Sequence, residues 1–293
     1  MKHRWSRIAG IVISFVLPLT NLISAAIVVM TARRHGGQAA VLDVAVSLTL
    51  LTGLVALSGT GAGGAGAGAL TAFLGASALW GGALLGGILL GRYQSVDLAV
   101  QALVVLALLG VLAAGVAIPD PRSHWQPVLE ALIQAAGLPQ VSGLPAGWLG
   151  TVATLMHGII GASLLSTLVL AVMLGLWLDR DTTSSEWRQQ FLELRLGLVL
   201  SLAAGVATLL TFAGFVSVGG GALLVLGTGF ATQGLAIVHW TADQRRWPRI
   251  WPLVLYGPLL LGAPPAGLVL LALAVAGLVD NAFALRRRPA NVV

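Results

Sequence analysis

Residues 96–118 read VDLAVQALVVLALLGVLAAGVAI, with Asp97 as their sole charge. Runs of this kind recur at 8–30, 38–58, 70–91, 148–178, 196–215, 222–240, 250–262 and 264–285. About 20 consecutive apolar residues are what a helix needs to cross a hydrocarbon core about 30 Å thick. In lipid, only helices and closed barrels satisfy every backbone N–H and C=O, and barrel strands are about 10 alternating residues long. The unbroken runs therefore predict an all-α integral membrane protein. We expect a bundle of about eight to nine transmembrane segments forming a single polytopic membrane domain over 1–293. Its first and last segments are interrupted by Pro and Gly. Charged residues make up 9% of the chain, against about 25% in soluble domains.

The formal charge of +6 would suggest nucleic acid in a soluble protein. Here it reads as the basic bias of membrane loops, with the bilayer as partner and no nucleic acid. With no cysteine, disulfides, thiol catalysis and cysteine-bound metal are excluded. Lys2 is the only lysine beside many arginines, and Ala and Gly abound. This composition points to a bacterial source and hence to the bacterial inner membrane. The apolar run 8–30 exceeds the 7–15 residues of a signal-peptide core, so it reads as a retained segment.

Orientation follows the basic loops. Residues 250–285 are too long for one ordinary span, at about 54 Å for a continuous helix. Gly262, Pro264 and Pro265 offer a turn. A hairpin there brings the C-terminus to the cytoplasmic side and puts twelve basic residues inside, against Lys2, Arg4, Arg7 and Arg122 outside. The first segment, broken at Pro18 and Asn21, reads as one kinked span. A re-entrant fold is its alternative, and would leave only Arg122 outside.

Two polar stretches interrupt the pattern. The extracytoplasmic loop 119–147 contains SHWQPVLEALIQAAG. There Ser123 and Gln126 fit a capping box, and Trp125, Val128, Leu129, Leu132, Ile133 and Ala136 share one helical face. This predicts an interfacial helix, with a lid over a cavity as the sharper reading. The cytoplasmic stretch 179–195 predicts a second amphipathic helix, capped by Thr183 and Glu186. Its Trp187, Phe191 and Leu194 stripe, with Arg195, is a candidate docking face. The small-residue run 59–69 carries GxxxG-like spacing at Gly64/Gly68 and Ala65/Ala69, which suits close packing. It lacks the Lys-Ser/Thr ending of a phosphate loop.

Polar side chains at depth need partners. Asn21, His157 and Gln233 are therefore candidate substrate-binding residues, each with a structural alternative. Asn21 is placed to mend the carbonyl orphaned by Pro18, while His157 and Gln233 can bond neighbouring helices. Thr208 and Thr211 can bond back to their own helix. His239 and Trp240 suit the headgroup level, and Asp280 is expected to pair with arginines of nearby loops. HExxH, paired carboxylates and a nucleotide loop are missing, and neither GAS (75–77, 161–163) continues to Gly. The expectation is a non-enzyme with no metal and no cofactor.

The stretches EWRQQFLELRLG (186–197), QGLAIVHW (233–240), APPAGLVLLALAVAGLVD (263–280) and SAAIVVMTARRHG (24–36) resemble the YybS-like family of bacterial membrane proteins. The distinctive positions are Phe191, Leu194, Arg195, Gln233, Gly234, His239, Pro264, Pro265 and Asp280. Two family stretches differ, reading GLWLDR and ALR here. The family is of undefined function and is distantly similar to the substrate-binding subunits of energy-coupling-factor transporters. The resemblance implies a small-solute binding or transport subunit with separate ATPase and coupling subunits. The segment 8–30 lacks the Ala-x-x-x-Ala docking pattern of those subunits. The alternative is a non-transporting membrane scaffold that recruits a cytoplasmic protein.

Overall fold

The computed structural model describes residues 2–17, 20–58, 65–137, 147–179, 184–248, 250–284 and 286. Regular structure among them is entirely α-helical: α1 (Lys2–Val16), α2 (Asn21–His35), α3 (Gly37–Ser58), α4 (Ala65–Tyr93), α5 (Val96–Ala117), α6 (Pro121–Ala135), α7 (Trp148–Leu178), α8 (Ser184–Leu192), α9 (Gly197–Phe212), α10 (Val216–Gln244), α11 (Trp251–Leu260) and α12 (Ala263–Phe283). By length and composition, six of these can cross a membrane: α3, α5, α7, α10 and the greater parts of α4 and α12. A seventh arises if α8 and α9, bent by 42° at their junction, form one span. The chain is thus a helical, multi-pass membrane protein with six or seven long apolar helices among the described residues. The shortfall from eight or nine lies in segments that fold as short helices.

Two compact units divide the chain, residues 1–103 with 166–191 and residues 104–165 with 192–293. In the first unit, segment 8–30 is not one kinked span. Ser24 Oγ donates to Ile11 O at 2.8 Å, Thr20 Oγ1 to Ser14 O at 2.5 Å, and Gly10 faces the Ile27 side chain. As the α2 number rises, the α1 number falls, so α1 and α2 form an antiparallel hairpin. Each has 15 residues, about 22 Å of helix against a core of about 30 Å. Arg4 and Arg7 then lie beside α3, where both bond the fully buried carboxylate of Asp43 at 2.8–3.0 Å. Pro18, expected to mark the break, lies outside the described residues.

Parallel to α2, helix α4 rises in matching register. Trp80 Nε1 donates to Ser24 Oγ at 2.7 Å, Gly87 meets Val29 and Ala32, and Gly91 meets Arg33. A Cβ on Gly87 would stand 2.7 Å from the Val29 carbonyl, so this crossing needs a residue without one. At the end of α7, Asp179 accepts from both Arg33 and Arg34. A carboxylate buried among apolar helices is tolerable only with such partners.

In the second unit, α6 begins differently from the capping box expected at Ser123 and Gln126. Asp120 is the N-cap, accepting from Arg122 N and Ser123 N, and Pro121 opens the helix. Proline fits there because that N–H has no helical partner to lose. Gln126 instead bonds along the helix to Arg122 and Glu130. Val128 and Leu132 are exposed. The other predicted capping residue, Thr183, lies outside the described residues, as do 59–64 of the small-residue run.

The α9–α10 pair closes through Gly214, whose φ of 95° suits glycine. Between α11 and α12, Gly262 takes φ 104°, and the two helices pack on each other. Segment 250–285 is therefore broken where Gly262 and the prolines stand.

Candidate functional site

Gln233 lies in α10 and is completely buried. It faces protein on every polar atom. Its Oε1 accepts from Leu196 N at 3.0 Å, and its Nε2 donates to Asp280 Oδ2 at 3.0 Å and Asn281 Oδ1 at 3.1 Å. These partners come from the α8–α9 connection and from α12. Asn281 continues the network by donating to Gly197 O and Ser201 Oγ, both at 3.1 Å.

Sequence dictates how the amide reaches these groups. One residue on from Gln233 is Gly234, and α12 crosses there so closely that a Cβ on Gly234 would lie 2.0 Å from Leu273 O. Gly277 meets Phe230 O in the same way at 2.1 Å. Two glycines thus bring the α10 and α12 backbones together, and side chains of ordinary length then span the remaining gap.

Asp280 is also fully buried. Its Oδ2 accepts from Arg286 Nη2 at 2.6 Å and Nε at 3.2 Å, and Arg195 Nε lies 4.0 Å away. Arg286 donates further to Leu192 O and Leu194 O at 2.5 and 2.6 Å. Arg286, just past α12, is thereby tied to the turn entering α9. Asp280 Oδ1 has no partner among the described residues.

A half-open cavity of about 390 Å³ sits at this junction, lined by Leu192, Glu193, Arg195, Trp240 and Arg286. Ligand pockets run from about 300 to 1,000 Å³, so it has room for a metabolite-sized group. Nearby, His239 Nε2 pairs with Tyr256 Oη at 2.8 Å and its ring packs edge-on against Trp251. The aromatic cluster at the end of α10 holds α11 there.

The three residues singled out for substrate do not form one site. Asn21 is the exposed first residue of α2 and belongs to the first unit. His157 is buried in α7, with its ring 6.3 Å from that of Trp125 and no partner for Nε2 among the described residues. Its neighbour Gly158 meets Gly221 of α10, twelve residues or about 18 Å of helix from Gln233. Of the docking candidates, Trp187 and Phe191 are half-buried, Leu194 is fully buried, and Arg195 lines the cavity. The stripe therefore ends in the protein core. Thr208 and Thr211 bond back to Ala204 O and Ala207 O, each at 2.8 Å.

Sequence reasoning missed Glu193, Trp240 as a lining residue, and Arg286. Trp240 was readable only as an interface residue. Glu193 and Arg286 become neighbours through the α12 crossing, which no local pattern encodes. Among the described residues, no group of three His, Asp or Glu could hold a metal ion. Compared with known protein families, with curated proteins and with solved structures, the chain gives no match.

Proposed function

We propose that this chain is a non-enzymatic inner-membrane subunit that binds a small solute for transport, and that its site is the cavity at the α8–α9 turn. The single observation behind this reading is that cavity: charged side chains and a tryptophan on a rigid frame. Gln233, Asp280 and Arg286 build the frame, so Gln233 serves the site from behind. With the first segment a hairpin, fifteen of the sixteen basic residues fall on one side by connectivity and only Arg122 on the other. The positive-inside rule makes that side cytoplasmic. The cavity and the C-terminus then face the cytoplasm, where ATPase and coupling subunits would dock. The YybS-like resemblance belongs to this proposal and agrees with it in general type. The test is purification from native membranes with mass spectrometry of retained small molecules. A molecule held by the wild type and lost from Trp240→Ala and Arg195→Ala supports the reading. Identical contents in all three would overturn it.

A scaffold remains the second reading, on one observation: Trp187 and Phe191 stay half-exposed on α8. Cytoplasmic proteins that co-purify with the wild type and not with a Trp187→Ala/Phe191→Ala double variant would favour it.

A further inference from the structure

Asp43 has more positive charge against it than it can neutralise. Its Oδ1 accepts from Arg4 Nε at 2.8 Å, and its Oδ2 accepts from Arg7 Nε at 3.0 Å and Nη2 at 2.9 Å. The carboxylate is fully buried, whereas the Arg7 side chain is 17% exposed and that of Arg4 42%. Two guanidiniums on one carboxylate leave a single positive charge uncancelled. An arginine has five N–H groups. Arg4 commits only its Nε to protein, so both of its Nη groups, and Nη1 of Arg7, have no hydrogen-bond partner among the described residues. A net charge at the edge of hydrocarbon calls for a counter-charge, and these N–H groups are where one can bind.

Depth and surroundings say which kind of anion fits. Helix α1 starts at Lys2 and α3 at Gly37, so Arg7 and Asp43 lie about 8–9 Å along their helices. The headgroup layer is about 5–8 Å thick on each side of the hydrocarbon, which puts the cluster near the level of lipid phosphates. Trp5, between the two arginines in sequence, is exposed, and tryptophan with arginine marks the headgroup level. Val41 and Leu42, directly before Asp43, are exposed on a helix long and apolar enough to cross the membrane. The residues adjoining the cluster are thus apolar and face acyl chains, a contact that a lipid can use and a soluble ion cannot.

We infer that the Arg4–Asp43–Arg7 cluster binds an anionic glycerophospholipid, its phosphodiester on the uncommitted Nη groups of Arg4 and Arg7 and its acyl chains along α1 and α3. Guanidinium is the preferred partner of phosphate because its planar N–H groups match the phosphate oxygens, and arginines at the membrane surface attract anionic headgroups. The excess charge supplies selectivity: an anionic headgroup cancels it, while the ammonium of a zwitterionic headgroup is repelled by it. Asp43 is the frame. It holds both guanidiniums in place and limits the site to one net charge. The lipid site shares no residue with the solute cavity and holds or fails independently of it.

The test uses the full chain in phosphatidylcholine nanodiscs containing equal minor amounts of phosphatidylglycerol and phosphatidylethanolamine, with native mass spectrometry of the lipids retained. One net charge at the membrane surface gives about a fivefold preference, so the wild type should retain phosphatidylglycerol over phosphatidylethanolamine by about that factor. Arg4→Gln removes the excess charge while Arg7 still holds Asp43, and should bring the ratio to about one. Asp43→Asn should move it the other way, up by about a further fivefold, which a folding defect would not do. Arg122→Gln deletes the same charge outside the cluster and should leave the wild-type ratio. Equal retention of the two lipids by the wild type overturns the inference. So does an unchanged ratio in Arg4→Gln, a ratio in Asp43→Asn no higher than that of the wild type, or a loss in Arg122→Gln equal to that in Arg4→Gln. Inorganic phosphate is titrated separately into pure phosphatidylcholine discs. Saturable phosphate binding without phosphatidylglycerol preference in the mixed discs would make the occupant a soluble anion, and overturns the inference as well.

Discussion

Replacing Gln233 with leucine should weaken the fold. The amide makes three hydrogen bonds, to Leu196 N, Asp280 Oδ2 and Asn281 Oδ1. Hydrogen bonds between membrane helices average about 0.6 kcal/mol and reach about 1.7, because an unfolded chain in lipid also finds partners. Three of them give about 2–5 kcal/mol. The position within that range depends on what is left behind. Asp280 keeps both bonds from Arg286, and Asn281 keeps its two donor bonds. Leu196 N loses its one side-chain acceptor at the start of α9, where helical acceptors do not exist. One orphaned buried donor costs about 1–3 kcal/mol, which places the total near 3 kcal/mol. The assay is reversible unfolding in mixed micelles, with Thr208→Val as the control. Thr208 bonds its own helix, so the control should shift stability by under about 1 kcal/mol. A double-mutant cycle of Gln233→Leu with Asn281→Ala should show coupling of about 0.5–3 kcal/mol. Wild-type stability in Gln233→Leu, with loss of a retained small molecule, would refute the reasoning and place cargo against the amide.

Four further outcomes follow from the geometry. The chain has no cysteine, so single cysteines at Trp5 and His35 should react with an impermeant maleimide from the same membrane side. Labelling from opposite sides would rule out the α1–α2 hairpin. Gly234→Ala forces a Cβ to 2.0 Å from a backbone carbonyl, whereas Gly205 has nothing within 4 Å; the first should lose at least about 3 kcal/mol in the same unfolding assay and the second almost nothing. His157→Phe should leave stability unchanged or raised, since it removes a buried nitrogen with no partner among the described residues; a marked loss would mean that something holds that nitrogen. Asp120 is kept below the usual carboxylate range first by the Ser123 backbone N–H, then by the Ser123 side chain. Its cap is therefore present at neutral pH and lost only as pH falls through that lowered value, beneath the ordinary aspartate range. A spin label at Leu132 should grow more mobile there, and Asp120→Asn should abolish the step.

What the sequence made legible was whatever depends on depth along one helix. Apolar runs locate the long helices, Gly262 with Pro264 and Pro265 locates the last break, and the polar stretch 241–246 locates the end of α10. Partnership across helices was not legible, because it depends on which helices meet. Asp43 stands inside the apolar run 38–58. Its partners Arg4 and Arg7 stand 36–39 residues away and reach it only if segment 8–30 folds back. The clue was the loop charge: a re-entrant first segment left Arg122 as the sole basic residue outside, a stronger bias than the single span gave. A 23-residue run also fits one crossing, and length alone cannot decide between them. The same limit separates Gln233 from the cavity. Periodicity says that its amide must turn inward, and burial penalties say that it must be bonded. Whether protein or cargo supplies the bonds is set by Gly234 and Gly277, which let α12 approach until Asp280 and Asn281 fill every position a ligand could take. The glycines were visible in the sequence, but their pairing was not. The cavity consequently forms on the far side of that network, where Arg286 has used its last protein partners and the lining turns charged.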